Sequence, residues 1–261
     1  VNDKFREIYR VQVLERVFEI LDALAAHQAE PGLQELSQWV GLHRSTAHRL
    51  LTVLEGHRFV ERTAVGKYRL GSRLLELGTT VAGRLDVAGA AKPFLERLVS
   101  ETGETAHMGV LRQGEVVSIT NVHSLRTLSA PATVGRRSPV HSSSLGKCLL
   151  SGLSRPEVLH LVQRVGLKRF TLNTITTAKK FLLELQRVRE CGYAIDDEEY
   201  EEGLRCIGAP VRDHTGRIIA AISVAGPATR LSDSHMPALA ASVVRAAIDL
   251  SAALGFLERG E

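Results

Sequence analysis

The spacing of apolar and polar positions divides the 261-residue chain into a helical opening segment and a mixed remainder. Val13, Leu14, Val17, Phe18, Leu21, Leu24 and Ala25 recur at intervals of three and four, which predicts a helix from about Val11 to His27. Pro31-Gly32 breaks it, and Leu33, Leu36, Trp39 and Val40 mark a second helix that stops at Gly41. In the third, Ala47, Leu50, Leu51 and Leu54 form an apolar stripe, while Arg44, Ser45, His48, Arg49 and Thr52 take the other side. Gly56 ends this helix. Phe59 to Arg62 and Lys67 to Leu70 then predict two short strands around an Ala64-Val65-Gly66 turn, and Gly71 to Leu85 predicts a proline-free, stiff connecting helix. From Val87 onward the pattern changes. A helix over Ala90 to Glu101 precedes a hairpin, Ala106 to Leu111 and Val116 to Val122, turning at Gln113-Gly114, with a third strand over Thr127 to Val134. Helices are predicted at Leu145 to Leu153, Arg155 to Val165, Lys179 to Cys191 and Pro237 to Phe256. Strands are predicted at Tyr193 to Ile195, Ile207 to Val211 and Ile218 to Val224. Strand pairs on short turns, with helices grouped between them, indicate an α+β domain on an antiparallel sheet.

Charge changes the picture of the first segment. Between Gly41 and Leu75 stand seven basic residues (Arg44, Arg49, Arg58, Arg62, Lys67, Arg69, Arg73) against two acids, Glu55 and Glu61. That surplus exceeds the net +4 of the whole chain, so the basic character is concentrated in one module. A short helix, a tight glycine turn and a helix whose polar face carries cations, hydroxyls and imidazoles make a helix-turn-helix. The face has no carboxylate, which suits a helix lying against phosphates in a DNA major groove. Two packed helices of an ordinary α-domain would give the same apolar spacing. The basic hairpin that follows, with Arg62, Lys67 and Arg69 around its tip, favours a winged helix-turn-helix whose wing lies on phosphates.

Composition excludes other classes. At 44% hydrophobic and 24% charged residues the chain is globular rather than disordered. Cys148, Cys191 and Cys206 form no CxxC pair, which fits neither a disulfide framework nor a zinc finger and suits a reducing, cytoplasmic setting. The polar first ten residues do not resemble a secretory signal, and no run approaches the roughly 20 apolar residues of a membrane span. No metal-ligand spacing and no GxSxG elbow occurs, so neither metal nor cofactor nor catalytic residue is expected. A Cys- or Ser-dependent enzyme is the alternative reading: Cys206 beside Arg205 could carry a lowered pKa, with His107 or His141 as base. A buried cysteine on a strand is more often a small hydrophobe, and that reading is the weaker one.

Several stretches taken together resemble one family. Val13-Leu14-Glu15-Arg16, Arg44-Ser45-Thr46-Ala47-His48-Arg49-Leu50-Leu51, Lys67-Tyr68-Arg69-Leu70-Gly71 and Glu101-Thr102-Gly103-Glu104-Thr105 do so in the first half. Val134-Gly135-Arg136, Leu145-Gly146-Lys147, Asp196-Asp197-Glu198-Glu199, Gly203-Leu204-Arg205-Cys206 and Ser223-Val224-Ala225-Gly226-Pro227 continue the match. In order and spacing they resemble the IclR family of bacterial transcriptional regulators. The resemblance implies a winged helix-turn-helix over residues 1–70, a linker helix over 71–87 and a GAF-like effector-binding domain over 88–261. It also implies a homodimer or homotetramer on a palindromic double-stranded operator, controlled by a small-molecule effector. DNA contacts would come from Arg44, Ser45, Thr46, His48, Arg49, Arg62, Lys67 and Arg69. Effector contacts would come from Ser144, Leu145, Asp196, Leu204, Cys206 and Ser223. Two positions depart from the family pattern: His43, where a better N-cap such as serine is usual, and Ala225, where some relatives carry serine. The run Ser142-Ser143-Ser144 ahead of a helix independently suggests a carboxylate site, or else a simple cap. With Leu145, Leu204 and Ile207 near it, a small, partly apolar organic acid is the expected ligand. Asp196 is either a ligand contact or part of a solvated acidic turn.

Overall fold

The computed structural model describes residues 11–27, 29–82, 86–126, 130 and 133–256, with residues 79, 81 and 82 described by their backbone alone. The chain forms two compact units, Val1–Leu85 and Asp86–Glu261.

In the first unit, α1 (Gln12–Ala26), α2 (Leu33–Trp39) and α3 (Arg44–Gly56) precede a hairpin of β1 (Val60–Arg62) and β2 (Tyr68–Leu70), followed by α4 (Ser72–Ala82). The core is small: Ile20 and Leu24 of α1 meet Leu36, Leu51, Leu54, Val60 and Tyr68. The predicted stripe of α3 packs as expected at Ala47, Leu51 and Leu54, with Leu50 half-buried. Gly41 turns the chain between α2 and α3 at φ 62°, a conformation costly for a side chain, and the Leu42 N–H closes the turn on the Ser37 carbonyl at 2.9 Å. His43 departs from the usual serine yet does cap α3. Its Nδ1 accepts from the Ser45 N–H at 3.4 Å and bonds the Ser45 Oγ at 2.7 Å. The hairpin is tied to α4 by the Gly71 N–H on the Phe59 carbonyl at 2.8 Å and by an Arg58–Glu76 ion pair at 3.1 Å.

The second unit opens with α5 (Val87–Thr102), β3 (Thr105–Arg112), β4 (Glu115–Val122) and β5 (Arg137–Pro139). Then come α6 (Ser144–Ser151), α7 (Arg155–Val165), α8 (Ala178–Cys191), β6 (Ala194–Asp197), β7 (Leu204–Arg212), β8 (Ile218–Pro227) and α9 (Met236–Ala253). The six strands form one antiparallel sheet in the order β5-β4-β3-β8-β7-β6. Alternation along the strands sends each face to a different partner. Ala106, Met108, Ile207, Ala209, Ile222 and Val224 point to α5 and α9. Val116 and Ala221 point to the layer of α6, α7 and α8, whose Leu145, Leu149, Phe181 and Leu185 they meet.

Three expectations change here. The strand foreseen at Thr127 to Val134 lies mostly outside the described residues, and the described end of that range is a turn. The strand at the edge of the sheet is instead Arg137–Pro139, short and containing a proline that only an edge tolerates. Ile207 does not approach the expected pocket, because period two places it on the α9 face. Finally, α9 has the length and mean hydropathy (1.3) of a membrane span. One side of it is nevertheless core, with Ala240, Val243, Ala246, Ala247 and Leu250 buried against α5 and the sheet.

Candidate functional site

On α3 the polar face is open. Arg44, Ser45, Thr46, His48 and Arg49 are all exposed, and no carboxylate among the described residues pairs with Arg44 or Arg49. There is no acid in the first turn, so the positive end of the helix dipole is uncompensated, a favourable place for phosphate. The Ser45 hydroxyl is already engaged by His43. On the hairpin Lys67 is exposed, and the Arg62 guanidinium lies 5.8 Å from the Tyr68 ring centre. Arg69 is less available than its sequence neighbours suggested, since Glu61 holds it at 3.1 Å and Glu30 at 3.7 Å.

In the second unit, sheet register assembles a cavity from segments far apart in sequence. Asp196 pairs with Cys206 and Cys206 with Ala225, while His107 pairs with Ser223 and Ser223 with Gly208. α6 lies over these rows. Gly208 permits it: a Cβ there would come within 3.3 Å of the Ser144 Oγ and 3.1 Å of the Ser223 Cβ. The resulting cavity measures about 610 Å³ with its open mouth included. Ser144, Leu145, Asp196, Leu204 and Cys206 line it, as does Ala225. Ser223 is not on the lining. It is fully buried, and its Oγ bonds the His107 Nε2 at 3.1 Å. The lining also includes His107, Ser118, Arg136 and Tyr200, which the sequence reading did not assign. The signal for them was weak: His107 is the one polar residue between Ala106 and Leu111, Ser118 is one of several polar residues in its strand, and Arg136 closes a family stretch without a role attached to it.

The start of α6 is polar without being solvated. Ser143 is the cap, its Oγ accepting from the Gly146 N–H at 3.2 Å, and the Lys147 N–H goes to the Ser143 carbonyl at 3.0 Å. By helix geometry the N–H groups of Ser144 and Leu145 have no intrahelical acceptor. Ser143, Ser144 and Leu145 all line the cavity. Asp196 is no solvated turn residue. Burial pushes its carboxyl up to about 7, against the Glu199 N–H that donates to its Oδ1 at 2.9 Å. Behind the cavity Lys147, 1% exposed, gives its Nζ to Glu199 and to the Ile195 carbonyl at 2.7 Å, with Glu184 3.7 Å away.

These environments do not make a nucleophile. Burial, and then the charge of Asp196, push the Cys206 thiol well above its ordinary value, opposite to the lowering expected from Arg205. Burial holds the Cys148 thiol at about 12 and lowers His107 to about 4, with the Arg136 charge adding to the latter effect. Burial likewise lowers His141, whose Nε2 bonds the Lys168 carbonyl. Among the described residues no group of His, Cys, Asp and Glu side chains is placed to hold a metal ion.

Comparison with known proteins assigns both parts of the chain to one family. Residues 13–64 match the IclR helix-turn-helix domain, and residues 79–252 match the bacterial transcriptional regulator IclR C-terminal domain. The HTH-type transcriptional regulator XynR of Escherichia coli is 35% identical over 247 residues, covering 94% of this chain and 98% of that protein. The transcriptional repressor IclR of the same organism is 33% identical over 94% of this chain and 91% of its own length. Among solved structures, the Agobacterium tumefaciens repressor BlcR superposes with a TM-score of 0.81 at 29% identity, over 95% of this chain and 99% of that one. With both parts matched and the match running through nearly the whole chain, the protein belongs to the IclR family of bacterial transcriptional regulators, DNA-binding proteins rather than enzymes.

Proposed function

We propose that this chain is a cytoplasmic repressor that binds a palindromic operator as a two-fold dimer, or a pair of dimers, and that a small organic acid in the α6 cavity controls its affinity for DNA. Residues 1–70 act as the DNA-binding module, 71–87 as the connecting helix and 88–261 as the effector module. The observation that carries the effector assignment is convergence: residues from α6, β6 and β7, far apart in sequence, line one cavity at a helix N-terminus. A carboxylate there would accept from the backbone N–H groups and serine hydroxyls of the α6 start, with its body against Leu145 and Leu204. For the DNA assignment, Arg44 and Arg49 are the open cations of α3 and suit base edges, while Arg62 and Lys67 suit backbone phosphates.

Apolar exposure supports the dimer. Leu14 and Phe18 lie on one face of α1 with exposed Val11 just ahead of it, Phe18 60% exposed, and Leu75 of α4 is 71% exposed. Gel-shift titrations on a duplex selected from a random pool test the DNA assignment. Arg49→Ala or Arg44→Ala should weaken specific binding by roughly 1–3 kcal/mol. Lys67→Ala and Arg62→Ala should weaken selected and random duplexes alike and flatten the salt dependence. Parent affinity in the Arg49 variant would remove α3 from the groove.

A further inference from the structure

We infer that residues 168–174, in the crossing between α7 and α8, are a brace that positions two walls of the cavity, with Thr171, Asn173 and Thr174 as its positioning residues. The inference rests on the cavity being the effector site and adds residues that act on it without lining it. Three successive carbonyls of the turn leaving β6 are taken by this segment. Asn173 Nδ2 donates to that of Asp197 at 3.1 Å, Thr171 Oγ1 to that of Glu198 at 2.7 Å, and Thr174 Oγ1 to that of Glu199 at 2.7 Å. The hydroxyls are themselves oriented. Thr174 Oγ1 accepts from the Phe170 and Thr171 N–H groups at 3.0 and 2.9 Å, and Thr171 Oγ1 from the Asn173 N–H at 3.1 Å. Both threonines are buried, so a partner left unpaired there is costly.

What the brace holds is cavity wall. Glu198 stands at φ 54°, a backbone conformation costly for a side chain, and such residues persist where their surroundings hold them. Before it in the chain, Asp196 lines the cavity and accepts from the Glu199 N–H at 2.9 Å. After it, Tyr200 lines the cavity, its ring 5.1 Å from that of Phe170 and inclined at 70°. The segment also reaches the lead-in to α6. The Lys168 carbonyl accepts from His141 Nε2 at 2.9 Å, and the rings of His141 and Phe170 lie 5.9 Å apart. Ser143 and Ser144, two and three residues further on, are cavity lining. One short segment thus ties the start of α6 to the turn that carries Asp196 and Tyr200.

Carbon-13 NMR of the full chain labelled at its aspartate carboxyls tests the brace, with Asp196→Asn identifying the signal. Burial is the largest influence on this carboxyl and sets its midpoint at about 7. Thr174→Val removes the hydroxyl at nearly constant shape. The turn should relax, water should reach Asp196, and the midpoint should fall toward the ordinary carboxylate range. Thr174→Ser keeps the hydroxyl and should keep the parent's midpoint, a rescue that packing alone does not produce. Asn173→Ala, at an exposed position, should give a smaller fall and carries the test if Thr174→Val does not fold. An unchanged midpoint in the folded variant, or an equal fall in Thr174→Ser, overturns the brace. Calorimetry with butyrate and succinate adds the effector site. An acid that the parent binds should bind Thr174→Val about three-fold or more weaker, and Thr174→Ser within about two-fold of the parent. Undiminished binding where the midpoint has fallen overturns the link from brace to effector. If the parent binds neither acid, the acid reading of the cavity falls, and the midpoint still decides the brace.

Discussion

Asp196 and Ser223 show how far a residue's role depends on what surrounds it. Asp196 sits in a run of acids, and from the run alone a solvated turn is the default. Its pairing with Cys206 across β6 and β7 instead removes it from water, and burial moves its carboxyl to about 7. The groups facing it are Lys147 of α6, Glu199 of its own turn and Cys206 of β7, with Arg136 across the cavity. A carboxyl raised from 3.8 to about 7 keeps its proton in the folded state after the unfolded chain has lost it. Its contribution to stability therefore falls as pH rises through that window. Urea unfolding of the parent and Asp196→Asn at pH 5 and pH 8 should show the parent losing ground to the variant at the higher pH. Parallel pH profiles would mean Asp196 is ionised throughout. Ser223 is expected from the family pattern to touch the effector directly; in the structure it is fully buried, and its hydroxyl meets the lining residue His107 at Nε2 instead. If the Ser223 hydroxyl donates to Nε2, the proton of the neutral imidazole sits on Nδ1, ready for an acid. Nitrogen-15 NMR of the parent should find this Nδ1–H tautomer, and Ser223→Ala should shift the tautomer balance and weaken binding of a small acid in the cavity together. An unchanged tautomer in the variant would leave Ser223 a packing residue.

At the scale of elements, long periodic segments were legible and short ones were not. α1, α3 and α7 follow from their apolar spacing, and β3 and β4 follow from the turn at Gln113-Gly114. β5 escaped because three residues with a proline carry no alternation. The cavity was half legible. Its α6 and β7 residues, and Arg136, fell in stretches of the family pattern, while His107 and Ser118 needed the sheet register, which no single strand contains. Lys147 was invisible as a structural residue: every residue of α6 is buried, and a lysine among them makes sense only beside Glu199 and the Ile195 carbonyl. Removing one partner of such a pair leaves the other charge buried, at a cost of about 3–5 kcal/mol. Lys147→Met should therefore destabilise the second unit by about that much, and Lys147→Met with Glu199→Leu by clearly less. Additive losses in urea unfolding would contradict a coupled pair.

For the whole molecule, the proposed regulation requires that two units respond to one another. An effector shifts DNA affinity only by binding the DNA-competent and incompetent arrangements unequally. The connecting segment from Gly71 is the proposed carrier. A glycine-serine insertion after Gly78 should keep acid binding and DNA binding but remove the effect of one on the other. The exposed faces of α1 and α4 are proposed to be covered by a second copy, so Phe18→Glu with Leu75→Glu should halve the mass found by light scattering and weaken operator binding. The most direct measurement is the anisotropy of the selected duplex titrated with parent and Ser144→Trp, each with and without saturating short mono- and dicarboxylates. The parent's affinity should change about five-fold or more with at least one acid. Ser144→Trp should bind the duplex as the parent does without acid and show no response. An acid effect that persists in Ser144→Trp, or no effect of any acid on the parent, would contradict control of DNA binding from the α6 cavity.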